Sequence, residues 1–217
     1  PTALLGLMAR MYYEMKNSPR RAWVGGNIGN PLIDQVAEMH EDDLVILELS
    51  SFQLELMTVS PQVAVVLNIT PNHLDRHGTM QAYTAAKARI LHYQHQGDVA
   101  VLNRDDAGSW DLSTQLKSDL ISFGFNRPDG NQNGTYIQKD SIWLQIDRQQ
   151  LRTARLTIDD LVAHQFSVSG KSGLIQATTS THQIRHAHPR FQRVGTRHTH
   201  IAADVHDLAG TLATALP

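Results

Sequence analysis

The run Leu44-Val-Ile-Leu-Glu-Leu-Ser-Ser-Phe-Gln-Leu-Glu55 decides the fold. Its opening residues are apolar without alternation, which reads as a strand buried on both faces and hence as a parallel sheet of an α/β protein. Glu48 closes that strand, and Ser50 and Ser51 turn the chain toward a helix. Open α/β sheets bind ligands just beyond the carboxyl ends of their strands, and Glu48 stands at that address. A buried carboxylate without a partner costs several kcal/mol or takes up a proton. Its partner is either a salt bridge or cap contact with the next helix, or a metal ion. The run alone leaves both open.

Upstream, Leu4, Leu5, Met8, Met11, Tyr12 and Met15 fall at helical spacing, so residues 2–16 are predicted to form an amphipathic helix. Ala22-Trp-Val24 reads as a short strand, followed by Gly25-Gly-Asn-Ile-Gly-Asn-Pro31 and helical periodicity through Leu32, Ile33, Val36 and Met39. Glycines between a strand and a helix let the backbone approach a ligand, although such turns are also common for steric reasons alone. Downstream, Val63–Ile69 reads as a second buried strand, with Asn68, Thr70, Asn72, His73, Asp75 and Arg76 crowded at its end. Thr79 caps a helix to about Tyr93, and Lys87 falls in the register of its apolar stripe, either packing its stem and reaching water or held as a reactive amine. Asp98–Leu102 is a further strand, with Asn103-Arg-Asp-Asp106 at its end and a helix to Leu116. Leu120–Phe123, Thr135–Gln138 and Ser141–Ile146 suggest an antiparallel flank with Lys139-Asp140 as a tight turn. The fold class is therefore α/β, three-layered, with a mainly parallel sheet of P-loop or Rossmann-like type and a small antiparallel flank.

Composition narrows the function. The 217 residues, 41% of them hydrophobic, suffice for a real core. A net charge of −2 with mixed signs gives no electrostatic reason to bind nucleic acid or an anionic membrane. There is no cysteine, hence neither a disulfide framework nor a thiolate metal site. No signal peptide or bilayer-length apolar run is evident, so a cytoplasmic location and a monomer are expected. Of 12 histidines, six lie between His182 and His206 without regular ligand spacing, and these read as a solvated segment.

Four segments then occur in order: Val24-Gly-Gly-Asn-Ile-Gly-Asn-Pro-Leu32, Glu48-Leu-Ser-Ser-Phe-Gln-Leu-Glu55, Leu67-Asn-Ile-Thr-Pro-Asn-His-Leu-Asp-Arg-His-Gly78 and Tyr83-Thr-Ala-Ala-Lys87. Together they closely resemble the central domain of the Mur ligases, in particular the branch that adds D-glutamate. The resemblance is strong over residues 22–106 and fades after about 170. It implies residues 1–176 as that ATP-binding domain and 177–217 as an atypical C-terminal segment. It also implies an enzyme of peptidoglycan synthesis that uses ATP and Mg²⁺ to join D-glutamate to UDP-N-acetylmuramoyl-L-alanine. Glu48 and His73 match the family's Mg²⁺ ligands, and Lys87 matches a lysine whose carbamate holds the same metal. These three would be the catalytic set. Asn27, Ser50 and Gln53 match positions touching the muramoyl substrate, with helix capping or loop hydrogen bonds as the alternative.

The family's Gly-Lys-Thr/Ser phosphate loop would immediately precede the first helix, where the sequence reads Pro1-Thr-Ala. Near the adenine, Gly195-Thr-Arg-His-Thr-His-Ile-Ala202 has Thr199 and Ala202 where the family has asparagines. The chain alone is therefore expected to be an incomplete, inactive ligase. A non-catalytic substrate-binding module or a related amide ligase, such as a folate polyglutamylating enzyme, stands as the alternative. Glu48 and His73 are expected to end neighbouring strands, with Lys87 on a helix above them, so that the three converge in one cleft.

Overall fold

Helix α1 (Thr2–Met15) is followed by strand β1 (Ala22–Gly26), a 3-10 helix (Leu32–Glu38) and strand β2 (Leu44–Glu48). The computed structural model describes residues 1–29 and 31–155. The expected boundary at 176, the His-rich stretch and the Gly195–Ala202 segment lie outside the described residues. α1 meets β1 through its smallest residue: a methyl group added at Gly6 would overlap Val24 Cγ2. Gly6 is the buried residue of this helix, while Leu4, Leu5 and Leu7 remain exposed.

The chain continues through α2 (Ser51–Glu55), β3 (Val63–Val66), α3 (Leu74–His77) and α4 (Met80–His92). Beyond these come β4 (Val99–Asn103), α5 (Ala107–Trp110), a second 3-10 helix (Asp111–Gln115) and β5 (Asp119–Phe123). Three strands follow, β6 (Asn133–Gln138), β7 (Ser141–Ile146) and β8 (Gln149–Arg155). β3, β4, β5 and β6 pair in parallel, in that order, and the six-stranded sheet continues through β7 and β8. The two-residue links Lys139-Asp140 and Asp147-Arg148 can join only antiparallel strands. Asp147 and Arg148 both take positive φ (48° and 70°), as the favoured tight hairpin turn requires. The α/β class and the parallel majority agree with the sequence reading; the antiparallel part is confined to β6–β8 and leaves out Leu120–Phe123, because β5 pairs in parallel with both β4 and β6.

Other expectations need correction. β1 and β2 form a separate two-stranded parallel sheet, so β2 and β3 are not paired neighbours. The hydrogen-bond partners of β3 lie on β4, where Val99 N donates to Gln62 O at 2.7 Å just before the strand. Nor is β2 buried on both faces: Ile46 is buried, but Leu44, Val45 and Leu47 are exposed. An apolar run reports what a strand can bury, whereas the elements lying on each face decide what it does bury.

The core sits between the β3–β4 face and α4. Ala64, Val66, Ile69, Ala100 and Leu102 meet Tyr83, Leu91 and Leu112, with Met80, Ala88 and Trp110 packed around them. β3 stops at Val66 rather than Ile69, and the segment expected as one helix to Leu116 is the short α5 followed by a 3-10 turn. The compact unit holding this core takes in residues 1–138 and 143–151. A second unit begins with Lys139–Ile142 and resumes at Arg152, and within it Thr153 Oγ1 donates to Ile142 O at 3.1 Å.

Candidate functional site

Parallel pairing of β1 with β2 sets Gly26 opposite Glu48. Gly26 has φ +95°, and a methyl group placed there would run into the carbonyl oxygen of Glu48. The next amide, Asn27 N, donates to that oxygen at 2.7 Å. The glycine turn thus makes a close approach to the backbone of Glu48. It leaves the Asn27 side chain exposed at the carboxyl end of the pair.

Two residues beyond Glu48, Ser50 begins a reciprocal cap on α2. Gln53 N donates to Ser50 Oγ at 3.3 Å, and Ser50 N donates to Gln53 Oε1 at 2.8 Å. Each group satisfies an orphan donor of the other residue, as in a Ser-x-x-Gln capping box. Ser50 and Gln53 thus form a helix cap at the start of α2.

The loop carrying His73 is tied to β4 and α5 by buried polar groups. Ser109, fully buried, donates from Oγ to Val66 O at 2.8 Å and accepts from Asn103 N at 3.1 Å. Asp106 Oδ1 accepts from Ser109 N at 2.8 Å, capping α5, and from Ile69 N at 2.9 Å. Asn103 Nδ2 donates to Leu67 O at 2.9 Å. These contacts give Asn103 and Asp106 defined work at the strand end. His73 then adopts φ +53°, ψ +31°, a left-handed conformation uncommon for a non-glycine residue, and opens the single turn of α3.

α2 links the two loops. Phe52 sets its ring 5.2 Å from His73, edge-on, and stacks on His77 at 5.2 Å with an interplanar angle of 5°. His77 in turn lies 5.3 Å from Tyr83, and the Lys87 amine sits 5.3 Å over the Tyr83 ring. The aromatic chain from His73 to Lys87 through Phe52, His77 and Tyr83 ties the loop after β3 to α4. Burial pushes the Lys87 ammonium below its ordinary range and raises Tyr83. Lys87 is therefore held in the half-buried register that its sequence position implied, and burial favours its neutral amine.

Among the described residues no hydrogen bond or ion pair joins Glu48, His73 and Lys87 to one another, and neither the Glu48 carboxylate nor the His73 ring is hydrogen-bonded. Their donor atoms are thus uncommitted. No group of three His, Asp or Glu side chains among the described residues has metal-binding geometry. The predicted set contains two such residues and a lysine. A carboxylate and an imidazole are competent ligands for a divalent cation, and a lysine carbamate would add the oxygens that Mg²⁺ prefers. The donor set fits. Two hollows of about 370 Å³ each lie between α4 and the Asp111–Gln115 turn and are lined by none of the six predicted residues. Sequence reasoning missed His77, whose role depends on contacts with α2 that no local pattern announces.

Parallel strands with Glu48 at the end of β2, His73 in the loop after β3 and Lys87 on α4 define an α/β domain. Residues 5–173 match the Mur ligase middle domain, and the chain belongs to that family. The UDP-N-acetylmuramoylalanine–D-glutamate ligase of Thermoanaerobacter sp. (strain X514) is 42% identical over 147 residues, 67% of this chain and 31% of that protein. The enzyme of the same name from Clostridium acetobutylicum is 43% identical over 129 residues, 59% of this chain and 28% of its own length. The chain spans about three tenths of the length of these curated relatives. Among solved structures, UDP-N-acetylmuramoylalanyl-D-glutamyl-2,6-diaminopimelate–D-alanyl-D-alanyl ligase from Acinetobacter baumannii aligns with 71% of this chain and 36% of its own at 18% identity, with a TM-score of 0.48.

Proposed function

We propose that this chain is the central part of an ATP-dependent ligase that joins D-glutamate to UDP-N-acetylmuramoyl-L-alanine in cytoplasmic peptidoglycan synthesis, acting as a monomer. The carrying observation is the state of three side chains. Among the described residues Glu48 and His73 have no hydrogen-bond partner for their side-chain donor atoms, at the ends of β2 and of the loop after β3, while Lys87 is desolvated on the helix joined to that loop by a chain of ring contacts. The names of the curated relatives favour D-glutamate as the amine over other acceptors.

In this reading the γ-phosphoryl group of ATP passes to the substrate carboxylate, and the amine of D-glutamate displaces phosphate from the acyl phosphate to form the amide. Glu48, His73 and the carbamate of Lys87 would hold Mg²⁺, which when bound offsets the charge developing on the phosphoryl oxygens. A neutral Lys87 amine is the form that adds carbon dioxide, so its burial serves that modification. Asn27 reaches the muramoyl portion from an exposed position at the end of β1. Ser50 and Gln53 would also contact the muramoyl portion, held in place by the capping box that fixes the start of α2 two residues beyond Glu48.

Three measurements test this. A ¹³C spectrum in labelled bicarbonate should contain a carbamate resonance that disappears in Lys87→Ala. Mn²⁺ titration followed by electron paramagnetic resonance should give binding that is lost in Glu48→Gln and in His73→Ala. Mn²⁺ affinity unmoved by either substitution would overturn the cation assignment. In an intact ligase carrying this segment, D-glutamate-dependent release of ADP should vanish in Lys87→Ala and return in part with an added small carboxylic acid. Full activity in Lys87→Ala would reduce that lysine to a packing role.

A further inference from the structure

His77 is bonded at both ring nitrogens to the two ends of one short helix. Its Nδ1 lies 2.9 Å from Glu55 Oε1, and its Nε2 lies 3.0 Å from Ser51 Oγ. Ser51 is the first residue of α2 and Glu55 the last, four positions apart and so on one face of the helix. The arrangement suits a single tautomer, with Nδ1–H donating to the carboxylate and Nε2 accepting from the Ser51 hydroxyl. The His77 side chain is only 2% exposed, and Ser51 is buried as well. Although serine, histidine and glutamate line up as in a nucleophile relay, a buried serine in a packed helix turn has no room for an acyl group.

What this clamp holds is the backbone of His73. The left-handed conformation there costs of order 1–3 kcal/mol and persists only where the surroundings impose it. Three of the restraints are local: Arg76 N and His77 N both donate to His73 O at 3.0 Å, and His73 N donates to Asn72 Oδ1 at 3.0 Å. The fourth is remote. α3 is one turn long and fastened to α2 by its last residue, His77, while Phe52 stacks on His77 and presents its ring to His73. Fixing His77 therefore fixes both ends of the segment bearing His73, and through Tyr83 it also supports the ring beneath the Lys87 amine.

We propose that His77 is a positioning residue for the cation site: clamped between Ser51 and Glu55, it sets the His73 imidazole against α2. The inference rests on the cation reading given above. Removing groups that orient metal ligands typically lowers metal affinity 10–100-fold. His77→Leu keeps the bulk and loses both hydrogen bonds, so its Mn²⁺ dissociation constant should rise at least tenfold. Glu55→Ala should weaken binding in the same direction, and Glu55→Gln, whose Oε1 still accepts from Nδ1–H, should restore affinity to within about threefold of wild type.

Amide exchange supplies a readout free of metal, because the Arg76 and His77 N–H groups should lose protection in His77→Leu and Glu55→Ala but keep it in Glu55→Gln. If wild type binds Mn²⁺ and His77→Leu binds it equally well, the clamp has no positioning role and the inference falls while the cation reading stands. If Glu55→Gln behaves as Glu55→Ala, the pairing described here is wrong. If wild type binds no Mn²⁺, the cation reading itself fails and the positioning role fails with it. Unchanged α3 protection in His77→Leu would separately refute the clamp.

Discussion

Replacing Gly26 with alanine tests the geometry on which the β1–β2 end of the site depends. At φ +95° an L residue is strained by about 1–3 kcal/mol. The new methyl group would also overlap the Glu48 carbonyl oxygen and lie 3.1 Å from the Glu48 carbonyl carbon and nitrogen. These are backbone atoms of the paired strand and cannot turn aside as a flexible side chain would. The strand ends must part, which weakens the 2.7 Å bond from Asn27 N to Glu48 O, worth about 0.5–1.5 kcal/mol. The sum is about 1.5–4.5 kcal/mol, against the roughly 5–15 kcal/mol by which natural domains are stable. Urea unfolding followed by circular dichroism should show the midpoint falling by about 1–2 M at a typical slope of ~2 kcal/mol per M, with the slope unchanged. A loss below about 0.5 kcal/mol would refute the reasoning, because it would mean that Gly26 neither needs its conformation nor approaches Glu48.

Three further outcomes are expected. Ser109→Ala should cost about 1–3 kcal/mol in the same unfolding assay, since it leaves Val66 O and Asn103 N without their buried partner. Leu102→Ala should cost about 2–5 kcal/mol, because Leu102 is fully buried between β3 and α4 and its loss leaves a cavity. Asp43 accepts from Trp23 Nε1 at 2.8 Å and from the amides of Arg21 and His40, which together lower its carboxyl from an ordinary 3.8 to about 2. A depressed carboxylate contributes stability that is fully present above its unfolded value and is lost as pH falls toward the folded one. Thermal melts of wild type should therefore drop more steeply between about pH 4 and pH 2 than those of Asp43→Asn; parallel curves would remove the Asp43 assignment.

Local residue patterns placed most of the elements and the chemistry along them. The apolar run at 44–48 became a strand, the run at 63–69 did so over Val63–Val66, Thr79 capped α4 as expected, and Lys139-Asp140 dictated a hairpin. Four motifs in order also carried the family, because residue identity and spacing are properties of the chain alone. Only the tertiary structure decided which strands pair and which polar groups are already engaged. β2 and β3 follow one another in sequence yet lie in different sheets, β2 paired with β1 and β3 with β4. His73 and His77 are alike in the sequence, four residues apart. One has a ring without a hydrogen bond among the described residues, and the other has both nitrogens bound to α2. That difference arises from contacts across more than twenty residues, and a local pattern carries no record of what folding brings against it.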